Sequence, residues 1–588
     1  MTKRPVRIAN ISGFFGDRAS ALREQLDGGE VDVLSGDYLA ELTMLILART
    51  RSRRPDGGYA RTFVAALEDS LEIVADRGVK VVVNAGGLDP TGAADTIRTA
   101  VGELGLTLEV AAVSGDDLVD RIPDLQAVGE AFINLQTGEP LGALASEVVT
   151  ANAYMGGWGI TKALQAGADI IVTGRVADAS VVSGPAAWWH NWSRDDYDQL
   201  AGAVAAGHII ECGMQATGGN YSFFKEVSDM AYPGFPWADI AADGSAIIGK
   251  HSGTGGEVSI GTVVSQLLYE IGPPAYLSPD VVSRFDTIKL EQAGPDRVSV
   301  TGTLGEPPPP KLKVAAAIPG GFRNSLMIGL TGLDAEAKAK LLSEQMWREL
   351  PWTSEDYDDI HESMIGQGSA DPRSNESAIS FWRIAAASTD ENKVGRAFSN
   401  AGISIFLGSI PGMFSVSPPG PATPFAKYWP TTIDRSLVTQ KVDVGGVTID
   451  VSESETRPGE PVMAVVPDPP ALPTGPTRQV QLGTIYGARS GDKGGIANIG
   501  VFARSAEAYA WLEFSLTVNR IREMMPDVAD LKIDRFELPN LWSLNFILHG
   551  FLGEGVSSSL RLDAQAKGLA EYLRACRFEV PISLLPTG

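Results

Sequence analysis

Along the first 180 residues, short apolar runs alternate with stretches whose apolar positions recur every three or four residues. The runs of strand length are 6–11, 31–34, 79–83, 108–113 and 169–172. Helical spacing fills 38–49, 59–76 and 95–104. This alternation predicts βαβ units and an α/β fold with a parallel, Rossmann/flavodoxin-like sheet. Right-handed crossovers then put the carboxyl ends of the strands on one edge, where such sheets bind ligands.

Beyond residue 185 the pattern turns helical and glycine-rich up to about 272. Residues 279–332 read as strands and turns, with Pro307–Pro310 as a rigid loop. A helix is expected at 335–350, a loop at 370–375 and a helix at 376–387. An internal boundary is expected near residue 275. Seven prolines between 457 and 477 (Pro458, Pro461, Pro467, Pro469, Pro470, Pro473 and Pro476) predict an extended linker. It would separate an N-terminal region, 1–456, from a C-terminal domain, 478–588. That domain reads as strand (480–486), loop, strand (497–503) and helix (506–524), then strands 531–538 and 542–549 and a helix at 564–574. Leu569, Leu573 and Cys576 give the last helix a core face. The pattern is that of a small α+β, ferredoxin-like domain.

Composition narrows the functional classes. The chain has 588 residues, more than one core holds, with 44% hydrophobic and 20% charged residues, as in ordinary globular proteins. A net charge of −24 repels nucleic acid and anionic membranes. It leaves room for a phosphorylated ligand held by glycine loops, helix N-termini and arginines. Two distant cysteines, Cys212 and Cys576, build neither a disulfide framework nor a cysteine zinc site. No apolar leader is seen, and no run approaches the roughly 20 apolar residues that span a bilayer. A cytoplasmic protein is expected.

Each N-terminal strand is followed by glycine and small polar or charged residues. The segments are Ser12-Gly13-Phe14-Phe15-Gly16-Asp17-Arg18, Ser35-Gly36-Asp37, Asn84-Ala85-Gly86-Gly87, Ser114-Gly115-Asp116-Asp117 and Thr173-Gly174-Arg175 with Asp178. Glycine admits a ligand to the backbone, although βα loops and helix caps use the same residues without one. Neither G-x-G-x-x-G nor Walker A is present. His208 and Glu211 are candidate acid–base groups or a simple helix-face pair; Cys212 is a candidate nucleophile or a packed thiol. Thr254, Gly255 and Gly256, after His251, form either an anion nest or a tight turn. No histidine pair has metal-ligand spacing, and a divalent metal held by carboxylates stays open. Arg489-Ser490-Gly491-Asp492-Lys493-Gly494-Gly495, closing on Asn498, is richer than a hairpin needs and points to ligand or interface contact.

Several of these segments resemble the acyclic terpene utilisation AtuA family. They are 12–18, Gly36–Thr43, 84–87, Glu147–Tyr154, 173–178, Glu211–Tyr221 and, in the C-terminal domain, Arg489–Gly500. The resemblance implies a ferredoxin-like second domain and a role in the catabolism of branched or terpenoid acyl-CoA thioesters. C–C cleavage of a 3-hydroxyglutaryl-CoA-type intermediate and thioester hydrolysis are the implied reactions, and lyases of the first kind often use a divalent metal. In that setting Arg18, Arg175, Arg489 and Lys493, with Gly13, Gly16, Asp17, Gly86, Gly87, Asp178, Asp492 and Asn498, are expected to bind the ligand. Asp37, Glu211 and His208 are the candidate bases, and Asn84 and Asn220 the candidate enolate donors. A homo-oligomer is expected. The alternative is a non-catalytic scaffold subunit associated with an acyl-CoA carboxylase.

Overall fold

The computed structural model describes residues 3–54, 57–452, 462 and 471–586. Most of the expected linker at 457–477 therefore lies outside the described residues. The chain forms two compact units. The first comprises Met1–Ala316, Trp429–Leu552 and Gln565–Gly588; the second comprises Ala317–Tyr428 and Gly553–Ala564. Residue 275 lies inside the first unit, and so does nearly all of the segment expected as a separate C-terminal domain.

An eleven-stranded mixed sheet organises the first unit. Its strands are β1 (Val6–Ser12), β2 (Val33–Gly36), β3 (Lys80–Val83), β4 (Val110–Ser114), β5 (Ile170–Thr173), β6 (Pro236–Ile240), β7 (Ala246–Lys250), β8 (Lys289–Gly294), β9 (Arg297–Thr301), β10 (Thr439–Val444) and β11 (Val447–Ser452). The spatial order is β8-β9-β7-β6-β1-β2-β3-β5-β4-β10-β11. The five central strands are parallel. Leu34, Val81–Val83 and Ile170–Val172 are buried because helices cover both faces, which is why these strands read as continuous apolar runs. The flanking strands pair antiparallel, so the sheet is mixed rather than purely parallel. These flanks escaped the pattern because β8 and β11 are both largely exposed. The parallel core brings the loops after β1–β5 to one edge.

The C-terminal part of this unit is a four-stranded antiparallel sheet in the order β12 (Gly487–Lys493), β13 (Ile496–Phe502), β15 (Ser543–Leu548), β14 (Ile533–Leu538). Helices Ala506–Ser515, Val518–Met524 and Leu569–Ala575 accompany it. Residues 489–493, expected as a loop, are strand β12, and the turn is only Gly494-Gly495. The glycines have a packing reason. A Cβ at Gly500 would come within 2.5 Å of Leu268 Cβ, and one at Gly491 within 2.5 Å of Tyr269 Cε2. The sheet can thus lie directly on the segment 268–270, which follows helix Ile260–Leu267. Buried Asn498 fastens the contact. Its Nδ2 donates to Leu268 O at 2.7 Å and its Oδ1 accepts from Glu270 N at 3.0 Å.

In the second unit, residues 379–388, expected within a helix, form strand Ile379–Ser388. It pairs antiparallel on both sides, with Asp359–Ile365 and with Lys311–Thr331. Its Ala385–Ala387 run favours helix locally, and two-sided pairing with burial overrides that preference. Among the described residues no helix is long and apolar enough to cross a membrane.

Replacing Asn498 orphans a buried carbonyl and a buried N–H, at about 1–3 kcal/mol each. Asn498→Ala is expected to lower the urea midpoint clearly, with the loss concentrated in amide-exchange protection around 268–271 and 496–502. Unchanged protection there would show that Asn498 does not fasten the domain.

Candidate active site

The loops after β2, β3 and β5 meet around Arg175, which is buried. Its guanidinium donates to Leu39 O at 2.5 Å and to Tyr154 Oη at 3.0 Å, and pairs with Asp178 at 3.1 Å. It also lies over the Tyr154 ring at 4.3 Å. Tyr154 Oη donates to Glu41 Oε1 at 2.9 Å, and Lys313 Nζ stands 3.3 Å from the same oxygen. Asn84 Nδ2 donates to Asp37 Oδ1 at 2.5 Å. Asp116, after β4, accepts from Arg175 N and from Asn152 Nδ2, both at 2.8 Å, and so fixes the β5 turn from behind.

Helix Tyr197–Ile210 brings the second half of the site. His208 Nδ1 lies 3.0 Å from Glu211 Oε1, and both side chains are buried. Among the described residues His208 Nε2 and Glu211 Oε2 have no hydrogen-bond partner. His208 also packs against Tyr276 and Phe285, whose rings stack 5.0 Å apart. The C-terminal sheet supplies the third part. Lys493 Nζ donates to Glu270 O at 3.0 Å; Lys567 pairs with Glu270 at 3.2 Å and Asp492 at 3.3 Å; Arg489 donates to Gln215 and lies over Tyr269.

These groups are deep in the unit, yet 29% of Asp178, 31% of Glu41 and 33% of Lys313 stay accessible, and Lys493 is exposed. The cluster is thus partly open to water although protein crowds it. Crowding governs the titration. Desolvation, then repulsion from Asp178, holds the Asp37 carboxyl well above the usual carboxylate range against the pull of Arg175 and Asn84. Desolvation, then Asp178 and Glu270, does the same to Glu211. Desolvation and the Lys493 charge push His208 down to about 4. His208 and Glu211 stand at ion-pair distance, yet burial works against the charged form of each, because separated charges there would cost more than the contact returns. Glu41 is the reverse: desolvation raises it, Lys313 and Arg175 outweigh that, and it falls to about 2. Desolvation and Glu270 lift Asp492 to about 7. Desolvation, then Glu211, keeps the Cys212 thiol protonated, so Cys212 is no ready nucleophile.

Of the expected site residues, Asp37, Asn84, Arg175, Asp178, His208, Glu211, Asp492 and Lys493 converge, with Arg489 at the rim. The others are engaged elsewhere. A Cβ at Gly13 would strike the Cys212 backbone at 2.5 Å, and one at Gly86 would strike Thr173 O at 2.6 Å, so these glycines serve chain–chain contact. Gly87 has φ 54° and faces Leu47, and Gly16 faces the Phe14 ring. Asp17 accepts from Gly13 N and Arg18 N, and Arg18 is bound by Glu24 at 2.6 Å and lies over Tyr232. The expected nest is also spent: Gly256 N donates to Ser228 O, Thr254 Oγ1 to His251 O, and Gly255 O accepts from Gly234 N. Asn220 is an exposed turn residue at φ 58°, and Asn498 fastens the domain. Glu41, Lys313, Glu270, Tyr276 and Lys567 were not foreseen; each stands alone in its local sequence.

Among the described residues no three His, Cys, Asp or Glu side chains group as metal ligands. Fold and site together define an α/β protein whose strand edge is closed by a small α+β domain over a cleft of paired acids and cations. The chain matches the family model for acyclic terpene utilisation family protein AtuA over residues 6–444 and that for the AtuA ferredoxin-like domain over 480–579, and it belongs to that family. The C-terminal domain is accordingly ferredoxin-like. No curated protein matches it.

Two substitutions should move stability in opposite senses with pH. The raised Glu211 carboxyl contributes stability that is complete below about pH 4.5 and is lost as pH rises through its folded value. Glu211→Gln should therefore gain on the parent protein as pH rises. The lowered Glu41 contributes stability above about pH 4.5 that is lost as pH falls toward 2. Glu41→Gln should therefore be weakest near neutrality and recover in acid. Denaturant midpoints between about pH 2 and 8 check both; parallel trends would contradict the electrostatic picture.

Proposed function

We propose that the protein is an enzyme acting on a branched or terpenoid acyl-CoA thioester, cleaving a C–C bond of a 3-hydroxyglutaryl-CoA-type intermediate. One observation carries this reading: Glu211 is buried beside His208 with an unpartnered carboxyl oxygen, and desolvation, then Asp178 and Glu270, hold it well above the usual carboxylate range. A buried carboxyl lifted toward neutrality exchanges protons at cellular pH. Glu211 also raises Asp37, and two mutually repelling carboxyls favour one proton between them, which gives one base and one acid.

In the cleavage the ionised member takes the proton of the tertiary hydroxyl. The carbinol carbon becomes a carbonyl, and the bond to the α carbon breaks. Its electron pair passes to the thioester as an enolate, and the protonated member returns a proton to the α carbon. Arg175 and Lys313 hold Asp178 and Glu41 in place, and Lys493 offers a cation to an anionic substrate. Cleavage is favoured over hydrolysis through an acyl-enzyme because the Cys212 thiol stays protonated. A scaffold subunit would have no use for such a cluster, whose burial costs stability.

3-Hydroxy-3-methylglutaryl-CoA, as a probe, should raise the melting temperature more than coenzyme A does, and Glu211→Gln should lower turnover of a cleaved thioester by about 100-fold or more. A shortened thioester plus a second carbonyl fragment is the expected product pair. No stabilisation by any acyl-CoA, or full turnover by Glu211→Gln, would overturn the reading.

A further inference from the structure

Lys493 differs from Arg175, Lys313 and Lys567, and from Arg489, which Gln215 and the Tyr269 ring engage. Arg175 has Asp178, Lys313 has Glu41, and Lys567 has Glu270 and Asp492. Lys493 has no carboxylate at ion-pair distance among the described residues; its one hydrogen bond goes to the carbonyl of Glu270. Two of its three N–H donors are left for the cleft. Its position is firmly held. It ends β12, directly before the Gly494-Gly495 turn, and its ammonium lies 5.5 Å from the centre of the Tyr276 ring. The carbonyl that orients it belongs to Glu270, which sits in the left-handed region at φ 55°. That conformation is rare for glutamate and is kept here by the Asn498 Oδ1 bond to Glu270 N. Tyr276 in turn packs against His208 at 5.0 Å between ring centres, and His208 meets Glu211 at 3.0 Å, so Lys493 stands one ring away from the acid–base pair.

We propose that Lys493 is a catalytic residue donated by the ferredoxin-like domain: its two remaining N–H groups receive the oxyanion that develops on the thioester carbonyl opposite Glu211. The active site is then complete only when that domain is docked on the segment 268–270. The inference rests on the acyl-CoA reading and places the reacting end of the substrate, not its phosphates, at Lys493. No proton leaves the ammonium; it stabilises charge by hydrogen bonding while Asp37 and Glu211 carry the proton traffic. The arrangement has a pH consequence. Desolvation and the charge of Lys313 lower the Lys493 pKa. The ammonium form is therefore lost, as pH rises, before an ordinary lysine would lose it.

The test is competitive labelling of the full chain with trinitrobenzenesulfonate near pH 7.5, read by peptide mass spectrometry. Lys493 should react several-fold faster than exposed Lys532. 3-Hydroxy-3-methylglutaryl-CoA should suppress its labelling at least tenfold, and coenzyme A alone should not. Equal protection by coenzyme A would put Lys493 at the nucleotide end and overturn the inference while leaving the acyl-CoA reading intact. Thermal stabilisation by the thioester without protection of Lys493 would do the same. No binding of any acyl-CoA would overturn both. For a cleaved thioester, Lys493→Met should lower kcat by about 100-fold or more with little change in KM. Lys493→Arg should recover part of the rate and move the basic limb of the pH profile upward. An unchanged kcat in Lys493→Met would exclude the catalytic role.

Discussion

Everything at the strand edge is arranged around the buried guanidinium of Arg175. Taking a cation out of water is costly, and the fold compensates with a carbonyl, a phenol oxygen, a carboxylate and an aromatic face. Each partner comes from a different element: Leu39 after β2, Tyr154 after the strand Thr150–Ala153, and Asp178 after β5. Arg175 thereby fixes three loops; its charge, after that of Lys313, lowers Glu41, and it pairs with Asp178 at 3.1 Å. Its own backbone is held by Asp116, whose carboxyl desolvation has raised to about 7. A strand edge that needed only tight turns would not bury so much charge.

The distribution of that charge gives the site its chemistry. Acids next to cations are ionised and structural, as Glu41 is beside Lys313. Acids that face other acids are pushed up toward the protonated form, as Asp37 and Glu211 are. One fold thus holds carboxyls in both states within one cleft, which is the condition for acid–base work at a single pH. The ferredoxin-like domain is part of this balance. Its glycines let β12 and β13 lie on 268–270, and through that contact Lys493, Asp492 and Lys567 enter the field of the N-terminal acids.

Much of the fold was legible because fully buried parallel strands leave an unmistakable pattern: β1 to β5 stand as continuous apolar runs. The flanking strands did not, since β8 shows mostly polar, exposed residues and is defined by pairing alone. Residues 379–388 misled for the opposite reason, as alanines suited to a helix were recruited into a two-sided strand. The site divides in the same way. Asp37, Asn84 and Arg175 were visible because they follow strand ends, and His208 and Glu211 because they share a helix face. Gly13 and Gly86, expected to bind ligand, stand instead against neighbouring chain. Glu41 lay in the 36–43 segment without being singled out, and Lys313 and Glu270 had no local signal, because what makes them part of the site is convergence across more than 200 residues of chain.

The central claim is that Glu211 carries a proton at neutral pH inside this cleft. Infrared difference spectroscopy between the parent protein and Glu211→Gln at pH 7 reads that proton directly. The account predicts a protonated-carboxyl C=O band in the parent that is lost in the variant and shifts in deuterium oxide. A difference spectrum showing only the loss of an ionised carboxylate would contradict it.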